Sequence, residues 1–200
     1  MDIEYEAKFY PVDKEEIRKK LKKLGAKLAH KERKMRRTIA DIRANPRLKC
    51  DYIRVRDEGN LIRLSAKIHA EEGGKMSDQK EIDVEVSDYD QTVRILESAG
   101  FIFNRYQETL RETWLLKGAE VELDIWPGLL TRLEVEASSE KKVKDICSKL
   151  ELDWNKKYFY AMPELYAKVY NINLEEALEK TSNLTFENNP FKGLKANHKI

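Results

Sequence analysis

Apolar and charged residues alternate with a period of two over much of this chain, and that period predicts strands. Ile3, Tyr5, Ala7 and Phe9 alternate with Glu4, Glu6 and Lys8. Ile53 and Val55 alternate with Arg54 and Arg56, and Ile62, Leu64, Ala66 and Ile68 with Arg63, Ser65 and Lys67. Ile82, Val84 and Val86 alternate with Glu81, Asp83 and Glu85. Leu123 and Ile125 flank Asp124, while Leu133 and Val135 alternate with Glu134 and Glu136. The stretch Gln107–Leu116, with Arg111 and Trp114, is strand-like as well.

Between the strands the apolar spacing widens to that of helices. Asp13 with Glu16 resembles a capping box, and the stripe Ile17, Leu21, Leu24 ends at Gly25. Asp88 or Asp90 opens a second helix with Val93 and Leu96 on one face, closed by Gly100. Ser139 opens a third, with Val143, Ile146, Cys147 and Leu150 inward. A fourth covers roughly 162–170 and a short fifth lies near 174–179. The segment 69–79, with Gly73-Gly74, reads as a flexible hairpin loop. Beyond Thr181 periodicity is lost, which predicts a loosely held tail.

An offset of 75 residues maps Glu6 to Glu81, Gly25 to Gly100 and Arg36 to Arg111. Each half reads as acidic strand, capped helix, glycine turn and further strands. Helices outside antiparallel strands from two such halves predict an α+β domain whose sheet could close on itself.

Two hundred residues suit one domain with a sizeable core. Lys+Arg (38) and Asp+Glu (36) nearly cancel, leaving a net charge of +2. That balance gives no broad footprint for duplex nucleic acid or for a membrane surface. Cys50 and Cys147 form no framework or metal-ligand spacing, and Cys147 falls on a helix stripe as a buried thiol. No leader-like N-terminus and no run of transmembrane length occurs, so a reducing cytoplasmic setting is expected.

A strand of alternating apolar and charged residues is ordinarily half-buried with its charges in water. Three features argue otherwise here. The charged faces carry few Thr, Ser, Asn or Gln. Their signs separate by strand: acids at Glu4, Glu6, Glu81, Asp83, Glu85, Asp124, Glu134 and Glu136, bases at Arg54, Arg56, Arg63 and Lys67. The helices also need the apolar faces to pack on, which turns the charged faces inward. A charged interior is costly unless its groups are paired or hold ions. Oxygen-only ligands favour Mg²⁺ or Mn²⁺, since His30, His69 and His198 fall in predicted loops or tail and read as surface residues. Opposed arginines and lysines suit a polyanion such as a triphosphate. Tyr106, Trp114 and Trp126 read as core around the barrel, leaving no clear slot for a nucleobase.

The Glu4-x-Glu6-x-Lys8 opening resembles the signature of the CYTH family, the triphosphate tunnel metalloenzymes that include class IV adenylyl cyclase and thiamine triphosphatase. The order that follows is similar too: Arg54-x-Arg56, Lys67, Glu81-x-Asp83, Arg111, Asp124 and Glu134-x-Glu136. The resemblance covers 1–170 as the tunnel domain and leaves 171–200 as a helix and loosely structured tail. It implies a closed antiparallel β-barrel, its tunnel lined by these charges, with helices outside. Glu4, Glu6, Glu81, Asp83, Asp124, Glu134 and Glu136 would hold the metal. Lys8, Arg54, Arg56, Lys67 and Arg111 would grip the phosphates, with Lys8, Arg54 and Arg56 acting on the developing charge. Two departures stand out. Thr109 precedes Arg111 where members have Lys-x-Arg, unless Arg105 compensates from an early strand start, and Lys156-Lys157-Tyr158 keeps only part of a C-terminal motif.

The expected activity is hydrolysis of the terminal phosphate of inorganic triphosphate, thiamine triphosphate or a nucleoside triphosphate. The alternative is cyclisation of ATP to cyclic AMP, and a non-catalytic polyphosphate sensor is a third reading. The tail could cover a tunnel mouth or join two copies as a homodimer.

Overall fold

The structure is a computed structural model that describes residues 1–42, 47, 49–68 and 75–199. Its strands are β1 (Asp2–Ile3), β2 (Glu6–Phe9), β3 (Lys27–Asp41), β4 (Tyr52–Asp57), β5 (Ile62–Ile68), β6 (Lys80–Val86), β7 (Arg105–Leu116), β8 (Ala119–Ile125), β9 (Arg132–Glu136) and β10 (Asn183–Leu184). Its helices are α1 (Lys14–Lys23), α2 (Tyr89–Ser98), α3 (Glu140–Lys149), α4 (Met162–Tyr170) and α5 (Leu174–Lys180).

The strands form one strongly curled sheet in the order β1-β6-β5-β4-β3-β7-β8-β9-β2, antiparallel throughout, with β10 added parallel to β7. Its two edges are halves of one N-terminal segment. Glu4 N–H donates to the Gln79 carbonyl beside β6, and the Tyr5 carbonyl accepts from Ala137 after β9. Gln79 sits at this break, its amide toward the Glu4 and Glu6 carbonyls and its oxygen accepting from Lys8. The strand ladder stops at β1 and β2, so the closed barrel expected from sequence is met as a curled, incompletely laddered sheet.

The helix caps work as their sequences require. Asp13 accepts from Glu16 N–H, Asp88 from Gln91, Ser139 from Lys142 and Asn173 from Glu176. Each side-chain oxygen satisfies a first-turn donor that has no intrahelical partner. Gly25 and Gly100 follow α1 and α2 at φ 77° and 96°, a conformation that costs glycine little. These glycines and the Glu6/Glu81 strands keep the internal repeat, but Arg36 breaks it. Its side chain points outward, over the Tyr89 ring and onto Asp57, whereas Arg111 points inward.

The outer face carries the main core. Ala7, Phe9, Val121, Leu123, Leu133 and Val135 pack against Ile17 and Leu21 of α1 and Val143, Ile146, Cys147 and Leu150 of α3. Burial pushes the Cys147 thiol up to about 12, so it is an inert core residue. Coverage is thinner elsewhere. In α2 only Tyr89 is buried, Val93 and Leu96 are half-buried, and Ile82 and Val84 of β6 stay more than half exposed.

The segment beyond Thr181 departs from the expected loose tail. Leu184 of β10 is buried, and Phe191 packs against Tyr166 and Tyr170 at ring distances of 4.3 and 4.7 Å. With Tyr10, Trp126 and Tyr158 they build a second core around α4 and α5. A buried Leu or Phe is worth about 1.5–3 kcal/mol, enough to hold this segment without periodicity. Residues 75–79 likewise depart from the flexible loop, since Met76 and Gln79 are buried; Gly73, Gly74 and His69 lie outside the described residues. His30 lies within β3 rather than a loop, and His198 sits 2.5 Å from the Tyr10 hydroxyl. Trp114 and Trp126 are core, but Tyr106 is exposed.

Candidate functional site

Every strand from β2 to β9 contributes charged residues to the concave face, around a cavity of about 350 Å³. The two-residue period puts Ala7 and Phe9 in the core and Glu6 and Lys8 in the cavity, and the same split recurs on β8 and β9. Glu4, Glu6, Lys8, Arg54, Arg56, Lys67, Glu81, Asp83, Arg111, Glu134 and Glu136 line it together. Asp124 lies immediately behind them, fully buried against Arg111.

One side of the cavity is crowded with acid. Lys67 Nζ reaches Glu4 at 2.6 Å and Glu81 at 2.8 Å, and Lys8 reaches Glu6 at 2.5 Å. Three cations, Lys8, Lys67 and Arg54, therefore serve the four acids Glu4, Glu6, Glu81 and Glu136, the last of them opposite Glu6 in the β2–β9 register. Burial, then Glu6 and less strongly Glu81, push Glu4 up to about 8 against the pull of Lys67. Glu81 goes the other way: Lys67 and Arg54 outweigh its burial and hold it well below the usual range. Enclosure, then Glu6 and Glu120, raise Glu136 to about 7, although water still reaches it at the mouth. Asp83 sits at the exposed rim, bonded to Arg63.

These shifts fix a pH dependence. Glu4 and Glu136 bind protons more tightly folded than unfolded, so the metal-free fold loses stability as pH rises from about 4.5 toward 8. Glu58 acts in the opposite sense. Burial would raise it, but Arg56 and Arg63 hold it at about 2, so its contribution is lost only as pH falls from about 4.5 toward 2. The melting temperature in EDTA is expected to peak near pH 5 and fall by pH 8.5, as followed by scanning calorimetry. A flat or rising curve over that interval would contradict the crowding.

The other side is a dense network of ion pairs. Arg111 donates to both oxygens of Asp124 at 2.7 Å and to Glu134 at 2.8 Å, and is ion-paired with Glu122. Arg132 reaches Asp124 at 2.7 Å and Glu134 at 2.9 Å. Burial raises Glu122 well above the usual range, while Arg132 and Arg111 keep Glu134 well below it. Asp124, Glu122 and Glu134 thus crowd around two arginines, with Glu122 hydrogen-bonded to Glu134. Next to this network Arg37, Arg54 and Arg56 repel one another, and among the described residues Arg54 and Arg132 each keep a buried Nε without a hydrogen-bond partner.

A profile of the CYTH domain matches residues 2–170. The chain belongs to the CYTH family. No curated protein sequence is significantly similar to it. Among solved structures it resembles a protein of Pyrococcus horikoshii at 20% identity, covering 78% of this chain and 94% of that one, with a TM-score of 0.63. A "putative adenylate cyclase" of Vibrio parahaemolyticus matches at 10% identity over 83% and 98%, TM-score 0.68. A "putative adenylyl cyclase" of Hippeastrum, reported with a dominant triphosphatase activity, matches at 14% over 82% and 94%, TM-score 0.51.

In this CYTH chain the acids do not stand as a ready-made cage. Among the described residues no three carboxylates converge as a cation site, because most are turned to a lysine, an arginine or another carboxyl. Several cavity residues also lie beyond those anticipated from sequence: Arg37, Glu58, Gln107, Glu120, Glu122 and Arg132, with Tyr160, Met162, Leu174 and Leu178 from the C-terminal helices. Glu120 and Glu122 were legible, since they extend the alternation of Asp124. β7 begins at Arg105, early enough for Arg105 to face the cavity, where it pairs with Asp41 at 3.0 Å. No described helix is long and apolar enough to cross a membrane.

Proposed function

We propose that this CYTH protein is a Mg²⁺- or Mn²⁺-dependent triphosphatase that releases the terminal phosphate of a triphosphate, working with the curled sheet closed as a tunnel. The observation that carries this reading is the division of one cavity between under-neutralised carboxylates and mutually repelling arginines. The acid set fits a hard cation: all its donors are oxygens, and the protons held by Glu4 and Glu136 mark where positive charge is lacking.

Glu4, Glu6, Glu81 and Glu136 would hold the cation, with Asp83 at the rim and Glu134 and Asp124 across the cavity. When bound, a divalent cation would neutralise these carboxylates and polarise the phosphate it contacts. Lys67 and Arg111, relieved of their carboxylates, can then turn to phosphate oxygens. Lys8, Arg54 and Arg56 face the chain of phosphates and stabilise charge as it builds on the bridging oxygen.

A cyclase reading has one observation of its own. Tyr160, Met162, Leu174 and Leu178 give the cavity an apolar wall of the kind a nucleobase needs. The Hippeastrum protein, with its dominant triphosphatase activity, favours hydrolysis instead. Incubation with tripolyphosphate, thiamine triphosphate and ATP, each with Mg²⁺ or Mn²⁺, separates the readings. Orthophosphate release is expected; cyclic AMP with pyrophosphate would replace the hydrolase by a cyclase, and tight binding without turnover by a sensor.

A further inference from the structure

Arg37 stands apart from its neighbours. Arg54, Arg56, Arg63, Arg105, Arg111 and Arg132 each have a carboxylate partner. Among the described residues Arg37 has none, although it lines the same cavity. Its guanidinium stacks on Trp126 at 4.3 Å, and its Nε and Nη2 donate to Gln107 Oε1 at 2.9 and 2.8 Å. The Gln107 amide is itself fixed, because its nitrogen donates to the Thr181 carbonyl at 2.6 Å. Thr181, fully buried at the end of α5, thereby orients Gln107, which orients Arg37. Among the described residues Nη1 has no hydrogen-bond partner.

Such an arrangement is costly if it serves only the fold. A guanidinium removed from bulk water and set against Arg56 in the β3–β4 register gains little from an amide and an indole. A braced fork with a free donor, facing a cavity beside other arginines, is what an anion completes. The inner-face position two before Arg111 is Thr109, which carries no charge and shares a small recess with Arg37, Arg56 and Arg111. Arg37 stands beside that uncharged position on the neighbouring strand.

We propose that Arg37, braced by Gln107 and the Thr181 carbonyl, forms with Arg56 an anion subsite that takes one phosphate group of the triphosphate. The inference rests on the triphosphate reading of the cavity and adds a ligand that the motif does not contain. Arg37 contacts the substrate, whereas Gln107 is a positioning residue.

The test is calorimetric titration of the full chain with tripolyphosphate in EDTA, so that no metal-dependent step enters. Arg37→Gln is expected to weaken binding about 10- to 100-fold, the scale of one charge-assisted hydrogen bond. Arg37→Lys, which keeps the charge but not the fork, should lose less. Gln107→Glu hands Arg37 a carboxylate, whereas Gln107→Ala only removes the brace, so binding should be weaker in the glutamate variant; equal affinities of the two would assign the effect to structural damage. Wild-type affinity in a folded Arg37→Gln protein would overturn the subsite and leave the triphosphate reading intact. Failure of the wild-type chain to bind tripolyphosphate, with or without Mn²⁺, would overturn both.

Discussion

Arg111→Met is expected to lower the unfolding free energy by about 3–5 kcal/mol, the scale of removing one partner from a buried ion network. Arg111 and Arg132 together balance Asp124 and Glu134, and Arg111 also pairs with Glu122, which burial pushes well above the usual range. Without Arg111, Arg132 faces both carboxylates alone, and one negative charge is buried without compensation. That orphan must gain a proton to be tolerated, so its folded-state pKa rises above the unfolded value. The variant should therefore recover stability as pH falls, opposite to an ordinary acid-labile ion pair. Urea unfolding at pH 5 and pH 8 in EDTA reads both effects. Arg111→Lys keeps the charge without the fork to Asp124 and should fall between. Equal stability of Arg111→Met and wild type at pH 8 would mean that Arg111 is not the counter-ion of the buried acids.

The network explains what the sequence could and could not disclose. Clean alternation on β2, β4, β5, β6 and β9 made the inward set legible, because a period of two fixes the face once one face is known to be core. β3 was not legible. Its sequence, Lys27 to Asp41, carries charges on both faces and bulges near His30, so no phase could be assigned. Arg36 and Arg37 are adjacent, and only the register against Gln107 and Arg56 shows that Arg37 is the inward one. The repeat then picked the wrong neighbour. The C-terminal segment failed for a different reason: Leu184 and Phe191 are buried singly against α4 and β7, by tertiary contacts that no local spacing announces.

Motif residues were brought to one cavity as expected, yet with unequal standing. Glu134 and Asp124 are held by arginines, while Glu4 and Glu136 keep raised values. Residue type and spacing cannot distinguish these, because the difference lies in which cations the curl of the sheet places alongside. Lys67 reaches Glu4 from a strand 63 positions away in sequence.

The difference predicts opposite behaviour for two glutamates of the same motif set. Glu4→Gln is expected to reduce metal-dependent phosphate release by about 10²–10³-fold, the scale of losing one preorganised charge-stabilising group. It should cost the metal-free fold little. With its value raised to about 8, Glu4 already holds a proton at pH 6, and an amide imitates that state. Above pH 8 wild-type Glu4 must ionise beside Glu6 and Glu81, whereas the amide does not. The variant's melting temperature in EDTA should match wild type at pH 6 and exceed it at pH 9. Glu134→Gln removes an ionised partner from Arg111 and Arg132 and should lower the melting temperature at both values. Calorimetry of the two variants, beside phosphate-release assays with Mn²⁺, decides the matter. A strongly destabilised Glu4→Gln protein at pH 6 would show that its ion pair with Lys67 belongs to the scaffold. The unmet negative charge would then have to be sought at Glu136, a second motif carboxylate pushed upward.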